Sequence, residues 1–369
     1  MISEARPSVV VLGGGYAGFT LAKSLDDVAD VTLVDPSDTF MHNVASWRTL
    51  VEPEWLDRIF LPFDGLLRHG RFVRDQAVAV DGRRVTLASG RRLEPDYLVL
   101  ATGSSYPFPA KSDVWDAEKT RARMLDAHDA LRGARRVLVV GAGPSGLELA
   151  GEIKAFFPDK HVTIADIGAD VMPGPFDQAL RDELRAQVHG LGIELKLGSP
   201  LKALPEAAPA TLSPISITTE AGDELTADIW FRCFGVEPRT GYLTGALAEA
   251  RDARGYVRVD EYLRAGGVDR VYAIGDIADA DRDTVGSANA QATLVAANIR
   301  GEITGSPERT AYEKIPPMVI VPLGPEGGAG QLPGQGVFGA EQASGIKGAT
   351  LFADVYAEMF NVPAGSTRK

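Results

Sequence analysis

The chain carries one pattern twice: an apolar strand, a glycine-rich turn, a helix and a second strand that ends in aspartate. In the first copy, Ser8–Leu12 runs into Gly13-Gly14-Gly15-Tyr16-Ala17-Gly18, a helical stretch reaches about Leu25, and a strand over 30–34 ends at Asp35. In the second, Arg136–Val140 runs into Gly141-Ala142-Gly143-Pro144-Ser145-Gly146, a helix reaches about Phe157, and a strand over 161–165 ends at Asp166. A Gly-x-Gly-x-x-Gly turn works by geometry. The first glycine makes the turn, the second lets the backbone approach a pyrophosphate, and the third lets helix pack on strand. The helix N-terminus then offers free N–H groups and a partial positive charge to an anion. A carboxylate about twenty residues further on is placed to accept ribose hydroxyls, and Asp35 and Asp166 stand there. One such match says little in a chain with 40 glycines. Two matches, each between a strand and a helix, point to two dinucleotide sites. The plainer alternative is that one copy is vestigial and binds nothing.

Composition narrows the partners. The 369 residues suffice for two or three domains, and 45% hydrophobic with 24% charged residues describes a soluble globular chain with ample core. A net charge of −12 suits no phosphate backbone, so no nucleic acid partner is expected. No apolar run approaches the ~18 residues of a membrane span. Cys233 is the single cysteine, which excludes an internal disulfide and a Cys-x-x-Cys redox pair. The five histidines form no ligand cluster, and no metal site is expected. Residues 1–4 lack the basic region of a signal peptide, and Ile2 stands where myristoylation needs glycine. The expected location is cytoplasmic.

Between and after the two copies the sequence keeps alternating. Strand-like pieces are expected over 72–80 and 84–87. A buried strand over 97–100 ends in Ala101-Thr102-Gly103, and Pro107-Phe108-Pro109 marks a domain crossing. A strand over 229–234 ends in Gly235 and Pro238, a second crossing. A strand over 270–274 leads into Gly275-Asp276, with a helix over about 287–300. The C-terminal part opens with a strand over 318–322, continues as a glycine-rich loop over 324–336, and closes in a helix over about 346–361.

Four signatures in this order resemble the two-dinucleotide flavoprotein oxidoreductases: Gly13 to Gly18, Ala101-Thr102-Gly103, Gly141 to Gly146, and Tyr272-Ala273-Ile274-Gly275-Asp276. Local stretches resemble the apoptosis-inducing-factor-like branch, the ferroptosis-suppressor group of NAD(P)H:quinone oxidoreductases, whose relatives include type II NADH dehydrogenases. His42-Asn43-Val44-Ala45-Ser46-Trp47-Arg48 is similar to that group's His-Asn-Val-Ala stretch ending in Arg. Tyr106-Pro107-Phe108-Pro109-Ala110-Lys111 resembles its Pro-Phe-Pro-x-Lys, and Gly146-Leu147-Glu148-Leu149-Ala150-Gly151-Glu152 its Gly-Val-Glu-Met-Ala-x-Glu. Gly328-Ala329-Gly330-Gln331 resembles its late Gly-Val-Gly-Gln. The similarity is collinear over nearly the whole chain.

The resemblance implies an α/β fold of two Rossmann-like dinucleotide-binding domains, one inserted in the other. Residues 1–106 and 240–315 would bind FAD, 107–239 would bind NAD(P)H, and 316–369 would form an α+β segment covering the flavin. It further implies that Gly13, Gly15, Gly18, Asp35, Ala101, Thr102, Gly103, Gly275 and Asp276 serve FAD, with Arg48 along the flavin. Gly141, Gly143, Gly146 and Asp166 would serve the nicotinamide dinucleotide. Glu148, Lys111 and Gln291 would flank the reacting rings as catalytic residues, and the helix from about Ser287 would point its N-terminus at the flavin. Each has a plainer reading: Arg48 and Gln291 as helix-surface residues, Glu148 as a carboxylate favouring a helix dipole, Lys111 as a solvated lysine, His42 as a satisfied polar residue instead of a proton donor.

The expected activity is hydride transfer from NADH, with NADPH as a second donor, through FAD to a quinone-like small acceptor. Asp166, with no arginine close by, favours NADH. Reduction of a ferredoxin or rubredoxin, and a non-redox or sensor role for FAD, are the alternatives. With Cys233 alone on a strand, the electrons must leave for an external acceptor. The stripe Phe352, Val355, Tyr356, Met359 and Phe360 at helical spacing is expected to pack on the flavin site or on a homodimer partner. Peripheral membrane contact is less favoured, because only Lys347 lies nearby as a basic residue.

Overall fold

The computed structural model describes residues 6–281, 284–306 and 308–362; residues 1–4, read above for leader and lipidation signals, lie outside these. Ser8–Leu12 sits in the middle of a five-stranded sheet in the order Val271–Ala273, Tyr97–Leu100, Ser8–Leu12, Asp30–Asp35, Arg71–Arg74, all neighbours parallel. Its unbroken apolar sequence follows from burial on both faces. Val9 and Val11 join one core cluster and Val10 and Leu12 another. Helices Tyr16–Leu25 and Val285–Thr304 pack together on the first of these faces.

The second sheet is four-stranded and parallel, in the order Glu194–Leu197, His161–Asp166, Arg136–Val140, Ile229–Arg232. Helix Pro144–Phe156 covers one face, and the antiparallel ribbon Ile215–Thr218 with Glu224–Ala227 covers the other. The chain enters and leaves this sheet through one short ribbon, where Ser104 pairs with Pro238 and Ser105 with Glu237.

Three expectations change. The strand expected over 72–80 is two strands. Arg71–Arg74 joins the parallel sheet, and Ala77–Asp81 opens an antiparallel meander with Arg84–Leu87 and Arg92–Leu93. Asp75 turns the chain between them, its carboxylate accepting from Gln76 N and Ser89 Oγ. The glycine-rich stretch 324–336 is not a loop: Gly327–Leu332 is the central strand of an antiparallel sheet with Val319–Leu323 and Gly336–Phe338. Glycine is needed there for close approach, since a Cβ on Gly330 would stand 2.4 Å from the Phe338 ring.

The C-terminal helix is also broken. Ala340–Ala343 continues into a wider turn over Ser344–Gly348, and the helix resumes at Ala353–Met359. Leu351 and Phe352 interrupt it with φ of 49° and 60°. Tyr356 and Phe360 are buried against Phe19 and Phe40, with the Phe19–Phe360 ring centroids 4.9 Å apart. Most of the apolar stripe is thus part of the first domain's core, and Val355 is its exposed member, at 54%. No helix among the described residues is long and apolar enough to cross a membrane.

Candidate active site

Both glycine turns open into one cleft of about 1430 Å³. Gly13 makes the first turn with φ +103°, and a Cβ there would lie 2.3 Å from the Ala101 carbonyl oxygen. Gly18 is tighter still, at 1.8 Å from the Gly13 oxygen, so it lets the helix seat on the strand. Gly141 and Gly146 repeat these contacts against Cys233 and Gly141. Gly15 and Gly143 differ: nothing lies within 4 Å of where their Cβ would stand. They occupy the N-cap positions of helices Tyr16–Leu25 and Pro144–Phe156, and neither helix has a side-chain cap. Two helix N-termini with free N–H groups, each reached over a bare glycine, fit the anionic pyrophosphates of two dinucleotides.

Asp35 and Asp166 are fixed by the turns they follow. Asp35 accepts Gly14 N at 2.6 Å and Ser37 N at 2.8 Å. Asp166 accepts Ala142 N at 2.7 Å and Gly168 N at 2.6 Å. Each carboxylate oxygen keeps a lone pair for a ribose hydroxyl. Burial raises the Asp35 carboxyl above its ordinary range, against the lowering effect of the Gly14 and Ser37 N–H groups.

Ala101, Thr102, Gly103, Gly275, Asp276, Lys111 and Glu148 line the cleft. Asp276 Oδ2 accepts Ser104 Oγ at 2.6 Å and Lys111 Nζ at 3.1 Å, so the lysine is a partnered cleft residue and not a solvated one. Glu148 Oε1 accepts Lys347 Nζ at 2.7 Å, and Lys347 also donates to the Ile320 carbonyl. Burial raises the Glu148 carboxyl, and Lys347 opposes the rise. The N-terminus of helix Val285–Thr304 faces the cleft through Thr284, Val285, Gly286, Ala288 and Asn289.

Six expected residues do not line it: Gly18, Gly141, Gly146 and Asp166, which shape the two turns from behind, and Arg48 and Gln291. Arg48 is 2% exposed and pairs with Glu152, while its Nη2 also reaches the Gly348 carbonyl at 3.0 Å. A carboxylate one helical turn beyond Glu148 captures the guanidinium behind the cleft wall. Gln291 is fully buried: its Oε1 accepts Gly275 N at 2.7 Å and its Nε2 donates to the Asp281 carbonyl. It positions the Gly275-Asp276 turn and is not turned toward the cleft.

His42 is fully buried between Tyr16 and Leu351. The Leu351 carbonyl can only accept, so Nε2 carries the proton, and Nδ1 accepts from the Tyr16 hydroxyl. Burial pushes the His42 imidazole down to about 4. Cys233 is buried, and burial pushes its thiol well above the ordinary value. Lys347, Ser104 and Tyr16 escaped sequence reasoning. Lys347 is 199 residues from the carboxylate it meets, and no local spacing signals such a pair.

The pyridine nucleotide-disulphide oxidoreductase family model matches residues 7–297. An apoptosis-inducing factor homolog B of Dictyostelium discoideum is 28% identical over 98% of this chain and 99% of its own length. A ferroptosis suppressor protein 1 of Taeniopygia guttata is 30% identical over 88% of both chains. The sulfide:quinone oxidoreductase structure from Aquifex aeolicus shares the fold, with a TM-score of 0.76 and 19% identity over 98% of this chain and 93% of that one. Two glycine turns on one cleft, the collinear family match and relatives spanning nearly the whole chain lead to one conclusion: the chain belongs to the pyridine nucleotide-disulphide oxidoreductases, a family that binds FAD and NAD(P)H.

Proposed function

We propose that this chain is an NADH-dependent flavoprotein that reduces a quinone-like small acceptor. The observation that carries the reading is the continuity of the cleft. Both pyrophosphate turns open into it, and its C-terminal wall is apolar, formed by Met318, Val319, Ile320, Phe352 and Val355. FAD, when bound, accepts hydride from the nicotinamide and passes two electrons on. The overall balance is NADH, one proton and a quinone giving NAD⁺ and the quinol.

The chain's own residues bind and orient. The N–H groups after Gly15 and Gly143 hold the two pyrophosphates. Lys111 and Ser104 fix Asp276 at the wall of the cleft. Glu148 and Lys347 set a hydrogen-bonded acid–base pair beside the apolar wall, where an acceptor oxygen needs a proton. Cys233 is buried and alone among the chain's residues in its chemistry, so no dithiol relays electrons. The domain limits given above and the assignment of FAD to the first turn belong to this proposal, as does a cytoplasmic setting.

A reductase for an acidic carrier protein would need a basic docking face, which a net charge of −12 disfavours. The test is anaerobic reduction by NADH in a stopped-flow instrument, followed by reoxidation with a panel of acceptors. Rapid bleaching of the flavin and fastest reoxidation by a short-chain quinone are expected. Reoxidation by ferredoxin or rubredoxin alone would overturn the acceptor, and absence of bleaching would support a non-redox role.

A further inference from the structure

Among the described residues, three cations line the cleft: Lys111, Lys347 and Arg239. Lys111 is neutralised by Asp276 at 3.1 Å and Lys347 by Glu148 at 2.7 Å. The Arg239 guanidinium makes no hydrogen bond or ion pair among the described residues. It lies 4.6 Å over the Trp115 ring, and both side chains line the cleft. Asp35 and Asp113 are the carboxylates whose charge it feels most.

The arm is rigidly mounted. Arg239 N donates to the Gly103 carbonyl at 2.9 Å, and Thr102 Oγ1 donates to the Arg239 carbonyl at 2.7 Å. The Trp115 carbonyl accepts from Arg74 Nη2 at 3.0 Å. Arg239 thus belongs to the chain's return crossing and Trp115 to its outward one, and they meet over the end of the cleft that holds Asp35.

The other charged residues lining that end are acidic, with Arg74 pairing Asp38 at 3.8 Å from outside the lining. Asp35, Asp38, Asp75 and Asp116 line it, and Arg239 is the one cation lining it among the described residues. A dianionic cofactor entering there meets carboxylates on a chain that is already net negative. A half-buried guanidinium with unused donors is the chemistry that recognises a pyrophosphate, because its planar fork matches phosphate oxygens. The aromatic support holds that fork in place at little entropic cost.

We propose that Arg239, propped on Trp115, closes over the adenosine diphosphate half of FAD and supplies the cation that holds it. The proposal rests on the reading that FAD occupies the Gly13–Gly18 turn. It adds a second grip, from the two crossings, to the one made by the helix N-terminus.

The test titrates apoprotein with FAD and follows quenching of flavin fluorescence. Arg239→Gln removes the charge and the guanidinium fork but keeps all the main-chain bonds, so the thermal unfolding of the apoprotein should stay close to wild type. Its Kd for FAD should rise about tenfold or more, and Arg239→Lys should recover part of the loss. Trp115→Ala should weaken FAD in the same direction. Raising the salt concentration should weaken FAD binding to wild type more steeply than to Arg239→Gln. ADP should compete with FAD in wild type and much less in the variant. A Kd for Arg239→Gln within twofold of wild type overturns the arm while leaving the cofactor reading intact. Wild type that binds no FAD at all overturns both.

Discussion

Arg48 and Glu152 meet through two short parallel bonds, Nε to Oε2 at 2.6 Å and Nη2 to Oε1 at 2.8 Å, with both side chains almost fully buried. The pair joins the first domain to helix Pro144–Phe156, and the third contact of Arg48, to the Gly348 carbonyl, reaches the C-terminal segment. Glu148 lies one turn before Glu152, and Lys347 directly precedes Gly348. The pair therefore stands behind the Glu148–Lys347 contact on both sides.

Removing one partner should be costly. Arg48→Met leaves Glu152 buried and uncompensated, and a loss of about 3–5 kcal/mol in chemical denaturation is expected. Arg48→Met combined with Glu152→Leu should recover most of it, because no charge is then stranded. A double variant as unstable as the single one would show that the ion pair is not the source of the loss.

The glycines of the first turn should separate into two classes. Gly15→Ala meets open space in the apoprotein, so apoprotein stability should stay within about 1 kcal/mol of wild type while FAD binding is lost or severely weakened. Gly18→Ala would force a Cβ to 1.8 Å from the Gly13 oxygen and should destabilise the apoprotein itself. Flavin content on purification and apoprotein melting, read together, check both. A Gly15→Ala protein that purifies with full flavin would falsify the assignment of this turn.

NADH should be preferred over NADPH. Asp166 is pinned by two backbone N–H groups and cannot swing away from a 2′-phosphate. Charge repulsion, reduced by solvent, should amount to ~1–3 kcal/mol, or about 10–100-fold in kcat/KM. Asp166→Asn keeps the shape and one acceptor and should narrow the ratio. Steady-state kinetics with both nucleotides decide it, and equal kcat/KM in wild type refutes the preference.

Stability should fall as pH drops through the His42 window. An unfolded chain takes up this proton near 6.5, whereas the folded chain takes it up only at about 4. Between those values the unfolded state binds more protons, so acid favours unfolding. The contribution is fully present above pH 6.5, is lost as pH approaches 4, and is on the order of 3 kcal/mol. His42→Gln can donate to Leu351 and accept from Tyr16 without titrating. Urea denaturation between pH 7 and 4.5 should show wild type losing more stability than the variant, and parallel losses would remove His42 as the cause.

The sheets were legible because their signals are local. A buried parallel strand is an unbroken apolar run, and a tight turn needs glycine within a few residues of it, as at Leu12–Gly13 and Val140–Gly141. Side chains that act across long sequence separations were not legible. Arg48 looks like any arginine on a short helix until Glu152 is seen beside it, and Gln291 like a surface glutamine until Gly275 is seen to need an acceptor. Residues 324–336 mislead because glycine serves two ends: it permits turns, and it permits a ring such as Phe338 to lie on a strand. Nothing at Leu351 and Phe352 announces left-handed backbone, since both residues ordinarily avoid it, so the final helix reads as continuous.

The paired crossing at Ser104–Ser105 and Glu237–Pro238 has an evolutionary consequence. A domain whose ends leave and return side by side can be exchanged as a cassette without altering the path of the host chain. If Asp166 sets nucleotide preference as predicted, that preference can change by recombination of the cassette while the host keeps its own glycine turn and the apolar wall of the cleft. The seam that such a graft must match is small and nameable: Glu152 for Arg48, Glu148 for Lys347, and a bare Gly151 against Leu323.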